Sequence, residues 1–378
     1  MPERVPYADG NGRGEERSDA RRLVPSGDGL PARLEETVRA AREYAEAARA
    51  PNTLRAYRSD VEDFSIYCRV ELGGSSPLPA SAETMALYVT DLAHERGLKT
   101  STIERRLASV SAWHKRHGHP SPTEERLVRE VMKGIRRKRG SRQKQAAPLT
   151  VGVLKRVLSA MRERDPKTGV VRAAVLRDRA LLLVGFAGSF RRSELSALRA
   201  SDLEFFEGCG VVVLVRASKT DTAGTGEAVG IPYGNHEETC PVTNLQRWVS
   251  FSGRLGEAPL FCQIDRHGNL KEGLLSGDGI NGVVKRRVEA AGLEPDRYSG
   301  HSLRAGLPTS ASEAKVGMEA WMPHTRHRSV AVAMRYARRG TLFTNNPAAQ
   351  VGLRNDESDE LPEEPSHTSP FLPERILR

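Results

Sequence analysis

Helix start signals recur at short intervals between residues 52 and 135, and no other feature restricts the possible folds of this chain as tightly. Asn52 stands as an N-cap before a run in which Leu54, Tyr57, Val61, Phe64 and Tyr67 keep helical spacing. Residues 81–96 carry Met85, Tyr88, Val89 and Leu92 in the same period. Ser101 and Glu104 form a capping-box pair in a run bearing Ile103, Leu107, Val110 and Trp113. Ser121, Pro122 and Glu124 supply N-cap, N1 and N3 of a helix through Leu127, Val131 and Ile135. With a leading segment over 34–49, these stripes predict an all-helical domain spanning residues 31–137.

The flanks and the second half read differently. Residues 1–30 are rich in Gly, Arg and acidic side chains with little periodic apolar content, which predicts a disordered arm. The run RRKRGSRQK at 136–144, followed by Pro148, predicts a basic, poorly structured linker, placed at 138–149. A second domain is expected over 150–353. Thr150 is an N-cap for a helix over 151–162, and the apolar density of 171–186 implies a buried helix interrupted at Gly188. The β-branched run Val211 to Val215 and a short extended piece at 230–233 flank a turn containing Lys219, Gly224 and Gly226, a hairpin with a ligand-facing turn. Helices follow over 243–252 and 277–291. The acidic end, NDESDELPEEP onward, predicts a disordered tail over 354–378. The fold class expected is mainly α: a helical N-terminal domain and a mixed α+β second domain with a small β-hairpin or sheet.

Length and charge narrow the partners. A chain of 378 residues suits two domains, and 58 Lys plus Arg against 48 Asp plus Glu gives a net charge of +10, which favours a nucleic acid over a membrane. No apolar run reaches the roughly 18 residues of a membrane span and the N-terminus lacks a signal-peptide core, so a cytoplasmic, nucleoid location is expected. The four cysteines contain no C-x-x-C pair, which argues against disulfides and thiolate zinc sites. The residues expected to face phosphates are Arg55, Arg58, Lys99, Arg105, Arg106 and Lys115 on the helices, with Arg136, Arg137, Lys138 and Arg139 in the linker. His114, His117 and His119 fit no metal motif and read as loop histidines at a helix end.

The stretch from Tyr298 to Tyr336 carries the chemistry. His301 and Arg304, three apart on a helix, share one face and can reach a single anionic group such as a phosphate. Tyr336, between Arg335 and Arg338 on a short helix, is placed to act as a nucleophile beside a polyanion. HSLRAG at 301–306, HRS at 327–329 and MRYAR at 334–338, with nine residues from His327 to Tyr336, resemble the signature of the tyrosine recombinases, the phage integrase family. Phe190 to Leu195 resembles the family's first-arginine motif, and the patterns at 113–120 and 134–140 resemble its core-binding domain. The resemblance covers about residues 50–353.

That resemblance implies a two-domain, site-specific DNA recombinase that cleaves and rejoins strands through a 3′-phosphotyrosine, without ATP, metal or other cofactor. It implies catalytic roles for Arg191, Lys219, His301, Arg304, His327 and Tyr336, with Glu194 supporting Arg191; Lys219 is assigned by its place in the hairpin turn. It also implies double-stranded DNA with inverted-repeat half-sites as substrate, and a homotetramer joined through the segment from Leu342 to Leu353. The first rival reading is a DNA-binding regulator on the same scaffold that has lost cleavage, and the second is a monomeric topoisomerase-like enzyme. Three residues depart from the family pattern. Pro308, four residues after Arg304, predicts a kink or a restart near Thr309. Arg326 stands where the family commonly has glycine, and Pro323 lies just upstream.

Overall fold

The computed structural model describes residues 32–47, 51–140, 145–216 and 225–340. The expected arm, the acidic tail, Lys219 and the segment from Leu342 to Leu353 lie outside them. The chain divides into two compact units, 1–144 and 145–378.

The first unit is helical: α1 Ala32–Ala47, α2 Pro51–Val70, α3 Ala82–His94, α4 Thr100–Arg116 and α5 Arg126–Arg139. Phe64 and Tyr67 of α2, Met85, Tyr88, Val89 and Leu92 of α3, and Ile103 and Val110 of α4 form its core, as the periodicity predicts. Ser81 caps α3, accepting from the Thr84 N–H at 3.2 Å. Other start signals act elsewhere. α2 begins at Pro51, so Asn52 lies inside the helix. Lys99 is the N-cap of α4, without a side-chain bond, and Glu104 pairs with Arg136 of α5 at 2.8 Å instead of closing a capping box. Ser121 caps a 3₁₀ turn, Pro122–Glu124, and α5 starts only at Arg126. That shift turns Val128 and Met132 into the core and leaves Leu127 exposed. α5 also continues through Arg139, so Arg136, Arg137, Lys138 and Arg139 are helical rather than part of an irregular linker.

A polar cluster ties α2, α3 and α4 together. Asp60 and Asp63 of α2 accept from Arg105 and Arg106 of α4, and Tyr88 of α3 donates to Asp63 at 2.6 Å. Ser109 donates to Asp60 at 2.7 Å. In a buried setting such a network specifies one helix arrangement, because each unpaired member keeps its desolvation cost. His114 belongs to α4 and is fully buried, bonded through Nδ1 to the Val110 carbonyl and accepting at Nε2 from the Ala80 N–H at 3.0 Å. It is a packed core residue, not a loop histidine.

The second unit comprises α6 Val151–Ser159, α7 Ala173–Ala187, α8 Arg192–Ala197, β1 Leu203–Phe206, β2 Gly210–Val215, β3 Glu227–Pro232, α9 Pro241–Ser252, β4 Cys262–Ile264, β5 Leu270–Leu274, α10 Gly277–Ala290, α11 Gly300–Glu313, α12 Met318–His324 and α13 Val330–Gly340. α7 is buried around its circumference, so it forms the centre against which α9 and α11 pack. The three-stranded antiparallel sheet has the order β1-β2-β3. Val211, Val213 and Val215 point into the core while Leu214 is exposed, the alternation of a half-buried strand. The antiparallel β2–β3 pair corresponds to the two extended pieces read from the sequence, and the segment 217–224 between them, with Lys219, lies outside the described residues. The β4–β5 hairpin is not among the elements expected from the sequence; its strands are short and, apart from Cys262, not buried.

Two segments hold α11 in place. The Leu149 N–H donates to the Ser302 carbonyl at 2.9 Å and the Val151 N–H to Ser310 Oγ at 3.0 Å. Asn281 of α10 accepts from the Gly300 N–H at 2.7 Å, fixing the first turn. A Cβ at Gly306 would lie 2.3 Å from the Leu149 carbonyl oxygen, so only glycine permits this approach. His301 and Arg304 therefore project from a helix anchored on several sides.

Candidate active site

The site begins where α7 ends. Gly188 closes the helix, and a side chain there would collide with Phe190, whose ring is buried and anchors the turn. Arg191 follows as the N-cap of α8. Its backbone N–H donates to Glu194 Oε2 at 2.8 Å and its guanidinium to Glu194 Oε1 at 2.6 Å. Glu194 therefore pairs with both the backbone and the side chain of Arg191. Burial opposes its ionisation, but the bonds from Arg191 and the charge of Arg326 outweigh burial and hold its carboxyl below the usual range.

Arg304 is buried, and burial together with the neighbouring Arg191 charge pushes its guanidinium down to about 10, so it remains cationic at neutral pH. It donates to the Ser189 carbonyl at 2.6 Å and to the Thr325 carbonyl at 2.8 Å. The helix does not restart at Pro308: α11 continues to Glu313, and the Arg304 carbonyl, which Pro308 cannot reach with an N–H, accepts from Ser189 Oγ at 2.9 Å.

Tyr336 of α13 brings its hydroxyl 3.1 Å from His301 Nε2. Burial, then the charges of Arg304 and Arg191, lower the His301 pKa. His327 packs its ring 5.2 Å from that of Tyr336, and its Nδ1 lies 2.6 Å from the Thr325 hydroxyl. Burial and the same two arginines push His327 down to about 4. Both imidazoles are therefore neutral at pH 7.

Arg326 is the residue that sequence reasoning left out of the site. It is buried at a φ of 55°, a left-handed conformation costly for a side chain. Its guanidinium donates to Glu194 Oε2 at 2.9 Å and to the Gly188 carbonyl at 3.1 Å, lies 5.1 Å over the Phe190 ring, and places Nε 3.8 Å from Glu227 of β3. His324 Nε2 meets the Ala187 carbonyl at 2.7 Å. The carbonyls of residues 187, 188 and 189, beyond the last backbone bonds of α7, thus face His324, Arg326 and Arg304 in turn. The negative end of the helix offsets part of the repulsion among clustered guanidiniums. In sequence, Arg326 sits in an RHR run that reads as surface charge, and nothing there marks it as buried.

Arg191, Glu194, His301, Arg304, His327 and Tyr336 converge in this unit. The expected phosphate-facing residues lie in the first unit and are variously engaged. Arg106 is half-buried and bonded to Asp63 and Tyr88, and Arg105 pairs with Asp60. Lys115 pairs with Glu124, Arg136 with Glu104, and Arg139 donates to the Ala93 carbonyl. Arg55, Arg58, Lys99, Arg137 and Lys138 are exposed. Among the described residues, no helix is long and apolar enough to cross a membrane.

Known proteins resemble this chain. Residues 149–341 match the family model described as Phage integrase family, and residues 43–116 match that of the Phage integrase, N-terminal SAM-like domain. An integrase/recombinase XerD homolog of Selenomonas ruminantium is 36% identical over 304 residues, covering 80% of this chain and 85% of that protein. The recombinase Cre of Escherichia phage P1 is 26% identical over 324 residues, covering 81% and 88%. Among solved structures, the Tn1549 transposon integrase in complex with transposon right end DNA superposes with a TM-score of 0.53 at 17% identity, covering 78% of this chain and 92% of that one. With a family model spanning half the chain and a relative matched over most of its length, the protein belongs to the phage integrase family, the tyrosine recombinases.

Proposed function

We propose that the chain is a site-specific DNA recombinase that cleaves and rejoins strands through a 3′-phosphotyrosine at Tyr336, using no ATP and no metal. The observation that carries this reading is the Tyr336 hydroxyl 3.1 Å from a neutral His301, in a unit that also buries Arg304 beside Arg191. Arg191 and Arg304 hold the two non-bridging oxygens of the scissile phosphate. Their charge stabilises what accumulates there as the phenolic oxygen attacks phosphorus. His301 accepts the Tyr336 proton, a role for which its lowered pKa leaves the ring unprotonated. His327 donates to the phosphate from Nε2 in the tautomer in which the Thr325 hydroxyl gives its proton to Nδ1 at 2.6 Å rather than to the Met322 carbonyl at 3.2 Å. Lys219, by its place in the β2–β3 turn, protonates the departing 5′ oxygen. The phosphotyrosine keeps the bond energy, so a free 5′ hydroxyl reverses the step.

The partner in this reading is duplex DNA with inverted-repeat half-sites, the first unit contributing phosphate contacts from its exposed basic residues. Four copies assemble on two paired sites through the segment from Leu342 to Leu353. A target duplex, selected from a random library by binding and then nicked close to the cleavage point, tests the chemistry. Wild type should be trapped covalently on the 3′ phosphate, and Tyr336→Phe should bind equally well without being trapped. Equal trapping of the Phe variant rejects Tyr336 as the nucleophile, and no trapping of wild type favours a binding-only protein.

A further inference from the structure

The helix that carries Arg304 contains a proline without losing its continuity, and the compensation lies outside the helix. Pro308 has no N–H, so the carbonyl four residues before it, that of Arg304, lacks its helical donor. Ser189 Oγ donates to that carbonyl at 2.9 Å, with both partners buried. Ser189 is fully buried and holds φ at 46°, a conformation in which glycine would be unstrained. Its own carbonyl accepts from the Arg304 guanidinium at 2.6 Å. A single residue therefore meets Arg304 at both ends, main chain and side chain.

We propose that Ser189 is a positioning residue for Arg304, its hydroxyl replacing the backbone donor that Pro308 removes, so that Ser189 and Pro308 act as a pair. The inference rests on the strand-transfer reading, in which Arg304 holds the phosphate; Ser189 touches no reacting atom. A buried carbonyl left without a donor keeps its full desolvation penalty, and the turn around 304–308 would shift to relieve it. Such a shift moves the root of the guanidinium away from the place where the phosphate charge develops. Glycine at 189 would remove the backbone strain but bring no donor. Arg326 also reaches the Ser189 carbonyl at 3.4 Å, so the loop is held from a second side and a change at 189 is confined largely to the hydroxyl.

A double-mutant cycle on the full chain tests the pair: wild type, Ser189→Gly, Pro308→Ala and the double variant. Relief of strain by glycine enters both backgrounds and cancels, leaving the coupling between hydroxyl and proline. The readouts are the rate of adduct formation at saturating nicked target duplex, the Kd for that duplex, and the melting temperature. Ser189→Gly should slow adduct formation about 10- to 100-fold with Kd unchanged, whereas after Pro308→Ala restores the N–H the same substitution should cost less than about threefold. An equal cost in both backgrounds overturns the pairing, and a loss in Kd rather than rate overturns the positioning role. If wild type forms no adduct but the melting temperatures still show the coupling, the strand-transfer reading fails and Ser189 is reduced to a structural cap. Absence of coupling in the melting temperatures as well as the rates overturns the substitution of hydroxyl for N–H itself.

Discussion

Replacing Arg326 by glycine pits two opposing effects against each other. The guanidinium is 3% exposed and faces Glu194, whose side chain is 1% exposed, at 2.9 Å. Removing one partner of such a buried pair typically costs about 3–5 kcal/mol. Two features reduce the loss here. Glu194 keeps its bonds to Arg191 at 2.6 and 2.8 Å, and glycine at φ 55° relieves roughly 1 kcal/mol of left-handed strain. The expected net destabilisation is about 2–3 kcal/mol, which lowers the melting temperature of a domain of this size by about 4–12 °C. Calorimetry on wild type, Arg326→Gly and Arg326→Lys measures it. Lysine keeps the charge near Glu194 but lacks the fork that also reaches the Gly188 carbonyl, so it should fall between the other two. If Arg326→Gly melts at or above the wild-type temperature, strain dominates and Arg326 is not what holds Glu194 under Arg191.

His327 predicts a pH dependence. His327 has a folded pKa of about 4 against 6.5 for the free side chain, so below pH 6.5 the unfolded chain binds the proton first. Stability should therefore fall as pH drops from about 6.5 towards 4, and His327→Gln should flatten that slope in acid melts; an unchanged slope would place the titration elsewhere. For Lys219, sulfur in place of the bridging 5′ oxygen supplies a leaving group that needs no acid, so it should restore most of the roughly 10²- to 10⁴-fold cleavage lost in Lys219→Ala. Arg304→Ala should stay impaired on the same substrate, and rescue of neither variant moves the acid to another residue. Neutralising Lys99, Arg137 and Lys138 together should weaken binding to all duplexes alike and flatten the log-log salt dependence by roughly 0.9 for each phosphate that is no longer neutralised. An unaltered salt slope puts these residues off the DNA.

Spacing carried most of what the sequence disclosed. The stripes through Phe64, Met85, Tyr88 and Ile103 identify the first core because helix burial repeats with a fixed period, and the motifs around Arg191, His301 and Tyr336 identify residues that the fold then gathers. What stayed hidden depends on contacts between segments far apart in the chain. Ser101 and Glu104 satisfy a local capping rule, but Glu104 faces Arg136 on a neighbouring helix, and the ion pair takes the carboxylate. Arg106 reads as a surface cation because Asp60 and Asp63 lie more than forty residues away. Pro308 reads as a break because the donor that compensates for it, Ser189, is 115 residues distant from Arg304 along the chain. Arg326 and its buried carboxylate partner pose the same difficulty. Local chemistry is visible in a sequence; the burial of a charge is a property of the assembled fold.

The central claim is that Tyr336 becomes esterified to the 3′ phosphate of a cut strand. Proteolysis of the trapped complex, nuclease trimming of the DNA and mass spectrometry of the remaining peptide identify the attachment residue directly. The account predicts a nucleotide 3′ phosphate on the peptide containing Tyr336, with a free 5′ hydroxyl on the released strand. A nucleotide found on another residue, or a 5′ phosphate attached to Tyr336, would contradict it.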